Sequence, residues 1–407
     1  MTANELMFAR SGGIPFSQTL PMDSAASVPA RGVYVRRLTA TNFRNYDYVR
    51  LDLPESPIVL TGRNGTGKTN LMEAVSFLAP GKGMRQARFS DVLPTTGGTS
   101  WAVSAVLEKG GEEIEVGTAF EPETGKRSEK RKIHVNGAAI KNQNGLDDVC
   151  QAVWLTPAMD RLFSGDPAGR RRFWDRLVQA FYPEHARSCA AYMQALRQWN
   201  ALLREGRADD AWLTALEKTL AKYGAKASLA RRNLLTVLQN APKNDDFPSA
   251  ELALTGGLEA DLRGKTEDEA AAFIADWFKQ ARGTCAETGV AGGVHTIDLA
   301  AVHTQKNMPA ASCSTGEQKA LLVAVLLSHI RALAAAKGTL PLILFDEAAA
   351  HLDSKRLEKL LEQLKDFKTQ IWVSGTDNAD FDAWKETAHF VAVEDLFKGA
   401  SALAAAS

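Results

Sequence analysis

The sequence predicts an α/β protein: a parallel-sheet core that cradles phosphate, an antiparallel β-lobe, and an inserted α-helical arm. Three observations carry this. Gly62-Arg63-Asn64-Gly65-Thr66-Gly67-Lys68-Thr69 fits the phosphate-loop pattern G-x-x-x-x-G-K-S/T at every fixed position, between an apolar run at 57–60 and helix-forming residues at 70–75. Pro341-Leu342-Ile343-Leu344-Phe345 is continuously apolar, as in strands buried on both faces of a parallel sheet, and runs directly into Asp346-Glu347. Residues 170–240 carry helical periodicity with few glycines and much Arg, Gln, Ala and Leu, which suits long antiparallel helices.

Taken in order, residues 1–30 are rich in Ser, Ala, Pro and Gly without a period and read as a disordered extension. Residues 31–160 read as the first part of the nucleotide-binding head. They hold strands at 33–38 and 49–53, then the strand, glycine loop and helix of the phosphate site. Short alternating runs at 101–106, 113–116 and 132–137, separated by Gly and charged turns, predict the β-lobe. Residues 152–155 read as a further strand. The arm occupies 161–248, with helices at 172–177, 192–203 and 211–238. Residues 249–395 complete the head through a strand at 250–254, helices at 267–281 and 315–336, the apolar strand at 341–345, a charged helix at 354–367 and a strand at 370–373. Residues 396–407 form an alanine-rich flexible tail.

Size and composition bound the function. A chain of 407 residues, 45% hydrophobic and 24% charged, is an ordinary soluble protein of two or three domains. Its 48 basic and 48 acidic residues cancel, so any nucleic-acid site must be a local patch. The densest basic clusters are Lys126-Arg127, Lys130-Arg131-Lys132 and Arg170-Arg171-Arg172. The first two are as readily solvated faces as phosphate contacts. Cys150, Cys189, Cys285 and Cys313 make no C-x-x-C pair, which points to reduced thiols and a cytoplasmic setting. No basic start followed by an apolar core marks a signal peptide. The most apolar stretch, 320–327, is interrupted by Ser328, His329 and Arg331 and is too short to span a bilayer, so no membrane partner is expected.

The chemistry concentrates at three places. Glycines let the loop 62–69 curl so that its N–H groups converge, and the helix N-terminus adds positive potential where phosphates sit. Lys68 supplies a full charge to the outer phosphates, and Thr69 a hydroxyl for Mg²⁺. Asp346, at the carboxyl end of a buried strand, is placed to hold Mg²⁺ beside Thr69, and Glu347 to polarise the attacking water. Ser314-Thr315-Gly316-Glu317 has capping-box spacing, which is a helix start, and those same N–H groups can also receive phosphate. His295 and His303 have no carboxylate–cysteine set around them, so a metal site there is not expected.

Phosphate loop, capped helix and acidic strand in this order resemble an ABC-type ATPase head. The resemblance implies ATP and Mg²⁺, with Lys68, Thr69, Asp346 and Glu347 acting in one subunit and Ser314 and Gly316 capping the ATP of a second. It also implies a dimer contact at Asp353. The finer resemblance is to the RecF family of bacterial recombination mediators. It rests on Asn42-Phe43-Arg44-Asn45-Tyr46, on 62–74 including Asn70-Leu71-Met72-Glu73-Ala74, on Pro80-Gly81-Lys82-Gly83-Met84-Arg85, on Gly165-Asp166-Pro167 through Arg170-Arg171-Arg172-Phe173, and on Gly293-Val294-His295 with Asp298-Leu299. It runs over about residues 33–395 and adds Arg44 and Asn70 to the nucleotide-binding set. It implies an ATP-dependent homodimer on gapped DNA or single-strand–duplex junctions, recombinase loading, slow hydrolysis, and RecR and RecO as partners. Departures are Thr296, where the family carries Arg, Ala158, where an acidic residue is common, and the lack of a Q-loop glutamine and of a switch histidine, for which Thr376 is the candidate substitute. Two alternatives stay open: a nucleotide-dependent scaffold without turnover, and another SMC-like or transporter-type head. The arm is short for an extended coiled coil.

Overall fold

The computed structural model describes residues 32–95, 97–122, 130–205, 209–242, 246–288 and 292–397. The expected extension 1–30, the Lys126-Arg127 pair and nearly all of the tail lie outside the described residues. In chain order the head opens with β1 (Val33–Phe43), β2 (Tyr46–Asp52), β3 (Ile58–Thr61), α1 (Lys68–Ser76), β4 (Trp101–Lys109), β5 (Glu112–Phe120), β6 (Arg131–Val135), β7 (Ala138–Ala139) and β8 (Ala152–Leu155). Then come α2 (Pro167–Phe181), α3 (His185–Glu205), α4 (Asp210–Gln239), β9 (Ala250–Thr255), α5 (Glu267–Thr288), β10 (Asp298–His303), β11 (Met308–Pro309) and α6 (Thr315–Lys337). The chain closes with β12 (Leu342–Phe345), α7 (Ser354–Lys365), β13 (Ile371–Ser374) and β14 (His389–Ala392).

The described residues form two compact units, one up to Asp160 together with Leu333 onward, the other Arg161–Ala332. The head unit holds both sheets that the sequence suggests. A parallel sheet runs β14-β3-β13-β12-β8, and an antiparallel sheet runs β2-β1-β4-β5-β6-β7. β3, β12 and β13 are buried along their whole length, as strands covered on both faces must be. β4 alternates buried and exposed residues over most of its length, the pattern of a sheet with one wet face. One apolar core draws on both sheets and on α1, through Phe43, Leu71, Val75, Phe77, Trp101, Leu344 and Trp372. Phe43 and Trp101 meet edge to face at 5.6 Å. This packing fixes α1, and therefore the loop that precedes it.

In the second unit α3, α4 and α5 share a core of Tyr192, Leu196, Trp199, Leu213, Leu220, Ile274 and Phe278. Gly224 lets α4 come close: a Cβ there would lie 3.1 Å from the Tyr192 ring. Arg231 grips Asp175 with both arms, at 2.7 and 2.9 Å, and the His185 ring nitrogen sits 2.8 Å from the same carboxylate. The Asp175, His185 and Cys189 donors converge, but Arg231 already supplies the cation there. The contact boundary differs from the sequence-based one. β9, β10, β11 and α5, within the stretch 249–332 assigned by sequence to the head, group with the arm. Helical period ends at the arm's last turn, whereas packing continues through α5 onto α4. α6 is also longer than the apolar run within it and passes a membrane-helix test by length and composition. His329 continues it by placing Nε2 3.0 Å from the Leu177 carbonyl, and 72% of its most apolar window is buried inside the protein, which marks a core helix.

Candidate nucleotide site

The parallel sheet brings the expected acidic and phosphate-loop residues to one edge. β3, β13 and β12 are neighbours and point the same way, so Gly62, Ser374 and Asp346 all stand at carboxyl ends, where ligands of open α/β sheets collect. After β3 the loop turns through Gly62 (φ 143°), Gly65 (φ 84°) and Gly67 (φ 106°), conformations that side chains resist. At Gly67 the missing side chain is also a matter of space. A Cβ there would stand 2.6 Å from Asn45 Nδ2 and 2.7 Å from the Tyr46 hydroxyl. Tyr46 donates to the Gly67 carbonyl at 3.1 Å, so the turn between β1 and β2 presses on the loop from outside.

Lys68 begins α1 and is 5% exposed. Its Nζ donates to the carbonyls of Gly62 (2.5 Å) and Arg63 (2.9 Å), curling back over the loop. Burial lowers its pKa, while Glu347, Asp346 and Glu394 act in the opposite direction. Those carboxylates therefore share its field. Thr69 is partly exposed on the first turn of α1. Asn70 donates to Asn45 Oδ1 at 2.6 Å and accepts from Arg85 at 2.7 Å, a chain from the loop's clamp to the basic turn after α1.

Asp346 is 1% exposed. Its Oδ1 accepts from Ser374 Oγ at 2.7 Å, and its buried Oδ2 has no hydrogen-bond partner among the described residues. A buried carboxyl oxygen left over at the carboxyl ends of the parallel strands suits a hard divalent cation. Asp346 therefore fits Mg²⁺, and Thr69, partly exposed on the first turn of α1, is the second ligand that the sequence expects. Ser374 Oγ also accepts from the Glu347 N–H at 2.9 Å, and Glu347 holds φ 50°. Ser374 was not singled out in the sequence as a site residue. The register that sets it beside Asp346 is visible only once β13 pairs with β12. Thr376, the candidate substitute for the switch histidine, is exposed two residues beyond the end of β13.

Arg44, at the turn after β1, is tied to α1. Its Nε and one Nη bond the Glu73 carboxylate at 2.8 and 2.7 Å, and the other Nη bonds the Asp91 carbonyl at 2.6 Å. Three of its N–H groups are thus engaged with Glu73 and Asp91, which braces α1. Glu73 is fully buried, and its other ion-pair partner, Arg85, is at 3.3 Å. Arg44→Ala is expected to lower stability by about 2 kcal/mol, because it leaves the buried Glu73 carboxylate with the longer Arg85 contact in place of a two-armed grip. Urea unfolding measures this, and adding Glu73→Gln should recover much of the loss.

Ser314 forms the capping box that its spacing predicts. Its N–H and hydroxyl both bond Glu317 at 3.0 Å, and Glu317 N–H returns to Ser314 Oγ at 3.4 Å. Lys306 and Ser314 hold the Glu317 carboxyl down to about 2. Ser314 is exposed and Gly316 partly so, which leaves the N-terminus of α6 accessible.

The basic clusters contribute less open charge than their sequence suggests. Arg170 grips Asp298 at 2.7 Å, Arg171 bonds the Ile297 carbonyl, and Arg131 bonds the Phe77 and Ala79 carbonyls. Arg172 remains 69% exposed, and Lys132 pairs with Glu121 at the surface.

Comparison with known proteins agrees with this architecture. The model of the RecF/RecN/SMC N terminal domain family matches residues 34–396. The DNA replication and repair protein RecF of Rhizobium etli is 40% identical over 371 residues, covering 89% of this chain and 98% of that protein. RecF of Agrobacterium fabrum is 41% identical over 367 residues, covering 88% and 96%. Among solved structures, the recombination mediator protein RecF-ATP of the RecFOR pathway superposes with a TM-score of 0.74 at 19% identity, over 89% of this chain and 98% of that one. The RecF-ATPrS structure superposes with 0.77. The fold is the ABC-type ATPase head, and on the strength of its relatives the chain belongs to the RecF family of DNA replication and repair proteins.

Proposed function

We propose that this chain is an ATP-dependent, DNA-binding recombination mediator of the bacterial cytoplasm. Two subunits close on gapped DNA or a single-strand–duplex junction when ATP is bound, help to load a recombinase, and separate after slow hydrolysis. The observation that carries this reading is the pairing of a curled phosphate loop with Asp346 at the same sheet edge, where one buried oxygen of Asp346 has no partner among the described residues. Family membership supplies the biological setting and makes RecR and RecO the partners to test. Thr69 and Asp346 would hold Mg²⁺, which offsets phosphate charge. Lys68 takes the outer phosphates, the loop N–H groups from Asn64 to Lys68 and that of Thr69 cradle them, and Asn70 and Arg63 border the loop. Glu347 orients water for attack on the γ-phosphate. Ser314 and Gly316, at an accessible helix N-terminus, cap the ATP of the other subunit.

A sizing run tests this reading directly. Wild type with ATP and a gapped duplex is expected to elute as a dimer on DNA. Ser314→Arg is expected to bind ATP yet remain monomeric, since the new side chain fills the capping end. If Ser314→Arg dimerises as wild type does, capping in trans is wrong.

A further inference from the structure

The edge strand β14 pairs with β3 in parallel, with Ala392 opposite Thr61. Continuing that register by two residues delivers Glu394 opposite Arg63, the second residue of the phosphate loop. The contact is made: Arg63 N–H donates to Glu394 Oε1 at 3.1 Å. Gly62 faces the same side chain, for a Cβ on it would lie 3.6 Å from Glu394 Cγ. The peptide linking Gly62 to Arg63 is therefore held from both sides. Glu394 takes its N–H, and Lys68 Nζ takes its carbonyl.

The segment carrying Glu394 is itself anchored. Val393 is fully buried, and Phe397 stacks on Tyr46 at 5.1 Å with the rings 10° from parallel. Tyr46 in turn donates to the Gly67 carbonyl at the far end of the loop. Residues 393–397 thus touch the loop at its start through Glu394 and at its end through Phe397 and Tyr46. Glu394 is exposed, so a nucleotide can share its surroundings.

We propose that Glu394 is a positioning residue of the nucleotide site, fixing the first peptide of the phosphate loop so that its carbonyl aims Lys68 at the phosphates. The inference rests on the reading of this loop as an ATP site. It makes the end of β14 part of the nucleotide machinery, although about 330 residues separate it from the loop.

The test is titration calorimetry of the full chain with MgATP, using wild type, Glu394→Ala, Glu394→Gln and Lys68→Ala, with nucleotide-free melting temperatures measured alongside. Glu394→Ala is expected to weaken ATP about fivefold, the scale of one partly exposed charge-assisted hydrogen bond. Glu394→Gln keeps a carbonyl acceptor for Arg63 N–H and is expected to stay within about twofold of wild type. Equal affinity of Glu394→Ala and wild type overturns the inference, as does equal weakening in both Glu394 variants. So does an affinity loss that vanishes once the unfolded fraction of Glu394→Ala is corrected for. If wild type itself fails to bind ATP, the site reading falls and takes this inference with it. If wild type binds, Lys68→Ala does not, and Glu394→Ala binds as wild type, only the inference falls.

Discussion

Lys68→Ala is expected to weaken ATP binding by about a hundredfold or more while leaving the nucleotide-free protein as stable as wild type, or slightly more so. The two effects separate because Lys68 is costly to the apo fold. Burial lowers its pKa below the usual lysine value, so its charged form at neutral pH is held against desolvation. The sign follows from linkage. With the folded pKa below the unfolded one, stability rises as pH climbs through that interval, and the cost is fully present at lower pH. Removing the ammonium removes the cost, but it also takes away the cation whose field Asp346, Glu347 and Glu394 share. The lost affinity therefore exceeds one hydrogen bond, because the remaining field turns repulsive. Calorimetric titration with MgATP and a melting curve without nucleotide check both halves. Wild-type affinity in the variant would show that the triphosphate binds elsewhere.

What was legible in the sequence was what is local. The phosphate loop is a contiguous pattern whose glycines state their own φ requirement, and β12 announces itself as an apolar run ending in acid. The capping box Ser314–Glu317 is likewise a spacing, and the structure forms it bond for bond. What was not legible arrives by register or by pairing across the chain. Ser374 is an ordinary serine until β13 lies beside β12, and Glu394 is an unremarked acid until β14 lies beside β3. β14 itself, His389–Ala392, is a short edge strand whose burial shows little alternation, too weak a signal to claim. Arg44 shows another pairing that the sequence hides. A sequence shows a lone guanidinium, whereas the fold sets it against the buried Glu73 carboxylate. Arg170 and Arg171 mislead in the same way, since a charge run does not reveal which of its members have partners inside.

Glu347→Gln is expected to lower steady-state phosphate release by about a hundredfold or more and to leave ATP affinity within a few-fold of wild type. The geometry gives the reason for the asymmetry. Asp346 is fastened by Ser374 and keeps a buried oxygen for the cation, so nucleotide binding depends on it and on the loop. Glu347 is the next residue along, turned out of strand geometry at φ 50°, with its N–H pinned by the same Ser374 hydroxyl. Its backbone is thus fixed independently of its side chain, and exchanging carboxylate for amide changes proton affinity without moving the chain. Under the proposed ATP-held dimer, blocking cleavage should also prolong the dimer on gapped DNA. Phosphate release and dimer lifetime should then move in opposite directions in this one variant. Unaltered turnover in Glu347→Gln would place the water-activating group elsewhere. If wild type releases no phosphate under the same conditions, ATP acts in this protein as a ligand of assembly alone.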